Sequence, residues 1–330
     1  MGVAVLLGLG GGAVIGSLWN AETPKLASRS ASVPAPAGLA EKPRPPAQAD
    51  DRPGSPPRSP DESHALPLPP PVPDRSGPDR LARDGKAGGD LPAWERFAAL
   101  PPPIEGRAMI AIVIDDLGID RPRTNRAIAL RAPLTLAFLP YARGLPELVA
   151  RARNAGHEIL VHVPMEPDSG EVDPGPNALQ IGLGQGETLR RLRWALDQVP
   201  GHVGINNHMG SRFTRDAALM ELVVGELKTR GLLFLDSRTT PHSRGDEIAR
   251  RYHIPAAVRN VFLDDEDSRP AIAAQLRETE MQARRRGYAI AIGHPRDITL
   301  ELLTGWLPRL QERGFVPVPV SVIVRQSGGA

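Results

Sequence analysis

Between Arg107 and Val320 the chain alternates short apolar runs with longer stretches whose apolar positions recur every three or four residues. Eight runs, at 108–114, 134–139, 158–163, 203–206, 232–236, 260–263, 288–293 and 315–320, have the length and composition of buried strands. Segments between them, such as "LPELVARARNAG", "ETLRRLRWALDQV" and "TRDAALMELVVGELKTRG", carry the helical period. In the last, Thr214 is the expected N-cap and Asp216 suits the positive end of the helix dipole. Gly156, Gly231, Gly287 and Gly314 each stand between a helical stretch and the next strand, where a left-handed residue closes the helix. Repeated helix–glycine–strand units predict a parallel α/β fold. Seven to eight strands in about 220 residues predict a (β/α) barrel rather than an open doubly wound sheet.

The pattern differs before Arg107. Of 36 prolines, 20 precede it, and residues 20–91 hold few large apolar groups. Such a segment cannot bury enough surface to offset its chain entropy, so 20–106 reads as a Pro-rich disordered linker, with "PLPPPVP" (67–73) a polyproline II spacer. Within it, "PAWERFAALPPP" (92–103) is a short amphipathic stretch expected to pack on the outside of the domain at 107–326. Residues 1–19 are an uncharged run, near the minimum length for spanning a bilayer. They read as an uncleaved membrane anchor, the alternative being an apolar tail without that role. The net charge of +2 gives no basis for a nucleic-acid partner, and no glycine-rich phosphate loop opens a helix. With no cysteine, any metal must be held by His, Asp and Glu.

In a (β/α) barrel the strand C-termini share one face, and that face carries the chemistry. Here those ends read Asp115-Asp116, then "VHVPMEP" with His162 and Glu166, "INNHMGSRF" with Asn207 and His208, "LFLDSRTT" with Asp236, and "AIAIGHP" with His294. A carboxylate with two neutral imidazoles makes a facial site for a divalent ion. A second carboxylate can take a proton from water, and an imidazole opposite can protonate a leaving group. Adjacent Asp side chains at a strand end point different ways, so one can ligate while the other acts as base. Elsewhere, His157, Trp194 and Trp306 read as structural, "DDED" (264–267) as a solvated acidic loop, and Arg284–Arg286 as an exposed helix end.

"VIDDLG" resembles the opening motif of the polysaccharide deacetylases, and "GHEILVH" (156–162) resembles their second motif. The order "VIDDLG", "HVPMEP", "GINNHMGSRFT", "FLDSRTT" and "GHP" is similar to that of the divergent polysaccharide deacetylase family, over about residues 107–325. That resemblance implies a variant (β/α) barrel, a Zn²⁺ site and a bacterial envelope location with the barrel domain in the periplasm. It implies Asp115 as base, Asp116 and His162 as ligands, and His294 as general acid. Glu166 stands where the second motif has its second His. The missing ligand is then Glu166 or His208, and His208 is favoured because zinc prefers imidazole. Glu166, Asn207 and Asp236 stand as groups that support a ligand or touch substrate. The implied activity is removal of N-acetyl groups from an amino-sugar polysaccharide. The alternative is a catalytically silent glycan-binding or scaffold protein of the envelope.

Overall fold

The computed structural model describes residues 91–327. The expected anchor and linker residues 20–90 lie outside the described residues. Among the described residues no helix is long and apolar enough to cross a membrane.

Among the described residues nine strands form one parallel sheet: β1 (Ala108–Leu117), β2 (Thr135–Phe138), β3 (Glu158–Met165), β4 (Gly204–Met209), β5 (Leu233–Asp236), β6 (Ala256–Val258), β7 (Val261–Phe262), β8 (Tyr288–Gly293) and β9 (Phe315–Pro317). Their order is β6-β5-β4-β3-β2-β1-β8-β7, with β9 pairing β1. β8 runs along one edge of β1 from Met109 to Ile114, so β2 and β9 share the other edge. The sheet curls into a half-barrel. Its end strands, β6 and β7, are joined by Arg259 and Asn260, whose main-chain N–H groups donate to Asp236 on one side and Ile290 on the other.

Nine helices are described: α1 (Ala93–Arg96), α2 (Arg121–Ile128), α3 (Leu145–Asn154), α4 (Gln185–Gln198), α5 (Ala217–Arg230), α6 (Gly245–Arg251), α7 (Arg269–Arg286), α8 (Asp297–Trp306) and α9 (Val320–Ser327). The four glycines expected to close helices all have positive φ, from +64° to +90°. The N-cap of α5 differs from expectation. Asp216 accepts from the Leu219 N–H, whereas Thr214 donates its hydroxyl to the Gly210 carbonyl. The last expected strand also stops early: Pro317 and Pro319 remove ladder donors, and the chain turns into α9. The three-residue β6, with two alanines, carries too little apolar signal to be expected from sequence. Order begins before Arg107, because Trp94 is buried and donates its main-chain N–H to Gly231.

Strand alternation divides the core into two clusters. Along β1, Ile110, Ile112 and Ile114 face the helices, while Met109, Ala111 and Val113 belong to the inner cluster. The same parity sends Leu160, Leu235, Ile290 and Ile292 inward. Asp115, His162 and His294 continue the inward series at the C-terminal rim, as do Asn206 and His208, which alternate with the helix-facing Ile205.

Candidate active site

Parity alone would place Asp116 on the face opposite Asp115. Two local features bring it back. Between Ile114 and Leu117 the register slips by one residue against Leu136 and Phe138, a bulge of the kind that re-aims side chains. Asp116 itself has φ +54°, a left-handed conformation that costs energy for a residue with a Cβ. Gly118 completes the turn at φ +108°, where an added Cβ would lie 2.5 Å from that of Ala142.

The turned side chain meets two imidazoles. Asp116 Oδ1 lies 3.2 Å from His162 Nε2 and 2.9 Å from His208 Nδ1, and these two nitrogens are 3.1 Å apart. Despite these distances Asp116 Oδ1 is buried with no hydrogen bond of acceptable geometry. One ligand atom from each residue falls within 4.8 Å of the others, so Asp116, His162 and His208 could hold a metal ion. One carboxylate and two imidazoles form a donor set suited to zinc, and an orphaned oxygen between two ring nitrogens is what a cation would relieve. The residues fit the group.

Asp115 lies behind this cluster, 3.7 Å from His162 Nε2 and almost fully buried. Burial raises its pKa above the ordinary carboxylate value, against the opposing charges of His162 and His294. For Asp116, burial is outweighed by His162 and His208, which hold its carboxyl far below that range. His294 Nε2 is 3.8 Å from Asp116 Oδ2. Its Nδ1 donates to Asp264 Oδ1 at 2.9 Å, and its main-chain N–H donates to Asp264 Oδ2 at 2.8 Å. Burial alone would lower the imidazole's pKa; the Asp264 bond and charge overcome it and raise it.

The family described as divergent polysaccharide deacetylase matches residues 112–324. The chain belongs to that family. Two curated proteins are similar to this chain: the uncharacterized protein YibQ of Escherichia coli K12, 37% identical over 211 residues, and a protein of Haemophilus influenzae, 34% identical over 207. The matches cover 63% and 62% of this chain, and 65% and 73% of those proteins, so under two thirds of YibQ is spanned. The crystal structure of Agrobacterium tumefaciens protein ATU2773 superposes with a TM-score of 0.69 at 30% identity, covering 72% of this chain and 97% of that one.

Of the residues expected at the candidate site, Asp115, Asp116, His162, His208 and His294 come together. Glu166 does not join them: its carboxylate accepts from Arg212 Nη1 at 2.7 Å and from the Ile181 N–H. It ties the β3–α4 loop to the start of the β4–α5 loop. Asp236 falls on the helix-facing parity of β5 and accepts from Ser243 Oγ at 2.6 Å and the Arg238 N–H at 2.8 Å. Asn207 accepts from the Ser237 N–H and donates to the Met209 carbonyl, bracing neighbouring turns.

The expected solvated loop at 264–267 is wrong for its first residue. Asp264 is fully buried, held by His294 and by Thr299 Oγ1 at 2.7 Å. Its position directly after the apolar "VFL", two residues beyond Phe262, was the available signal. Asn206, which beside Asn207 in "NNHMGS" reads from sequence as a loop residue capping backbone groups, is instead fully buried on β4 with its amide bonded to Asp115 and His162.

Proposed function

We propose that the protein is a metal-dependent hydrolase that removes N-acetyl groups from an amino-sugar polysaccharide of the bacterial envelope. The observation that carries the reading is the orphaned, buried Asp116 oxygen facing two imidazole nitrogens, with a carboxylate on one side and a carboxylate-paired imidazole on the other.

Asp116, His162 and His208 are the residues that would hold the ion, most simply Zn²⁺. A bound ion of this kind supplies a Lewis acid and makes water a stronger acid. Asp115, raised in pKa by burial, accepts the proton that water loses as its oxygen joins the acetyl carbon. Asn206 Nδ2 donates to Asp115 Oδ1 at 2.9 Å, which leaves Oδ2 for that proton. His294 has its Nδ1–H committed to Asp264, so when protonated it presents Nε2–H on the side of Asp116. It gives that proton to the sugar nitrogen as the C–N bond breaks. The products are acetate and a free amine.

The envelope location is part of the proposal and rests on the apolar run at residues 1–19. The test is acetate release by the full chain with Zn²⁺, on N-acetylated oligosaccharides and on peptidoglycan. Release that is abolished by chelator and by Asp115→Asn supports the reading. Glycan binding indifferent to chelator, with no acetate released from any substrate, supports a silent scaffold and overturns it.

A further inference from the structure

Between the proposed base and the proposed metal ligands lies one neutral side chain. Asn206 on β4 is fully buried, and all of its amide atoms are engaged. At one end it has two partners, Asp115 Oδ1 at 2.9 Å and Ser237 Oγ at 3.1 Å. At the other it has one, His162 Nδ1 at 3.0 Å. An amide has two hydrogens on nitrogen and none on oxygen, so the end with two acceptors is the NH₂ end. The oxygen therefore faces His162 Nδ1, and that nitrogen must carry the hydrogen. In the neutral form that a metal requires, an imidazole has only one N–H, so His162 Nε2 is then left as a bare lone pair. That lone pair is the atom 3.2 Å from Asp116 Oδ1 and 3.1 Å from His208 Nδ1.

We propose that Asn206 is a positioning residue that fixes the His162 tautomer for metal binding and, through the same amide, holds the Asp115 carboxylate in place. The inference rests on the hydrolase reading above. The two functions belong to opposite ends of one rigid group, so they can be separated. Leucine at 206 fills similar space and makes neither contact. Aspartate can still accept from His162 Nδ1–H, but it offers Asp115 a negative charge where the amide offered a hydrogen.

The experiment compares full-length wild type, Asn206→Leu and Asn206→Asp by ring-nitrogen NMR of isotope-labelled histidine, with the His162 signals identified by their loss in His162→Gln. Zinc affinity and acetate release are measured on the same samples. The wild-type chain should show His162 protonated at Nδ1. Asn206→Leu should lose that state and bind zinc about 10–100-fold more weakly. Asn206→Asp should keep the Nδ1–H state and bind zinc more nearly as wild type, while acetate release falls about 100-fold or more. If Asn206→Leu fails to fold, the Asn206→Asp contrast carries the test. An unchanged His162 ring state in Asn206→Leu, or acetate release by Asn206→Asp at the wild-type rate, overturns the inference. If the wild type binds no zinc and releases no acetate, the hydrolase reading fails, and the ring-state comparison still decides what Asn206 does.

Discussion

Replacing Asp264 by Asn keeps the shape of a fully buried side chain and removes its charge. The carboxylate now accepts three hydrogen bonds, two at Oδ2, from the His294 N–H and Thr299 Oγ1, and one at Oδ1, from His294 Nδ1. An amide must place its single oxygen where two donors converge, so its NH₂ would face His294 Nδ1. The imidazole would then have to offer a lone pair there, and the imidazolium would lose its partner. A hydrogen bond to a charged group contributes about 1.5–3 kcal/mol, so the His294 pKa should fall when that partner is lost. In the wild type this pKa is raised above its ordinary 6.5. Raising it means that the folded state holds the proton more tightly than the unfolded one. The stabilisation is therefore fully present below pH 6.5 and lost as pH rises through the folded value. Asp264→Asn should accordingly lower the melting temperature more at pH 6 than at pH 9, by roughly 3–12 °C at the acidic end. Acetate release should fall about 100-fold, with the alkaline limb of its pH profile moved downward and zinc content unchanged. Thermal unfolding across that pH range, with the rate profile beside it, is the assay. Equal destabilisation at both pH values, together with an unshifted profile, would refute the pairing of Asp264 with an imidazolium.

Three further outcomes follow from local geometry. Glu166→Gln should retain zinc at wild-type stoichiometry, since the carboxylate is directed at Arg212 and Ile181, and metal loss measured by mass spectrometry would make Glu166 a ligand. Gly118→Ala should destabilise by about 1–3 kcal/mol in denaturant titration, because its φ of +108° and the 2.5 Å approach to Ala142 both oppose a Cβ; a change below about 0.5 kcal/mol would contradict this. His202, whose Nε2 is buried without a partner, has its pKa lowered by burial to about 4 from 6.5, so the unfolded chain binds its proton first. Stability should drop by about 3 kcal/mol as pH falls through that window, and His202→Gln should flatten the slope; identical slopes would sink the claim.

Much of this architecture is legible in the sequence because burial imposes a period. The inner series Ala111, Val113, Asp115 and the pairs Leu160–His162 and Ile292–His294 obey strand alternation, so a reader of parity finds the rim groups together. The same rule would have set Asp236 aside, since it shares parity with the helix-facing Phe234. Asp116 is where periodicity misleads. Its inward turn depends on a bulge and a left-handed backbone, neither of which alternation encodes. Asp264 was hidden by three acidic neighbours that make "DDED" look solvated, although only the first is buried. Asn206 was hidden because a neutral amide gives no signal until its partners, 91 and 44 residues away, are in place. Glu166 was placed correctly on the rim, but its bond to Arg212 is a loop-to-loop contact that no single strand announces.

The central claim is that Asp116, His162 and His208 share one cation. Metal analysis of the full-length chain, equilibrated with Zn²⁺ and dialysed, tests it most directly, with Asp116→Ala, His162→Ala and His208→Ala alongside. The account predicts one tightly held equivalent in the wild type and its loss from each variant that remains folded by circular dichroism. A folded wild type that retains no metal, or a folded His208→Ala that retains it in full, would contradict the account.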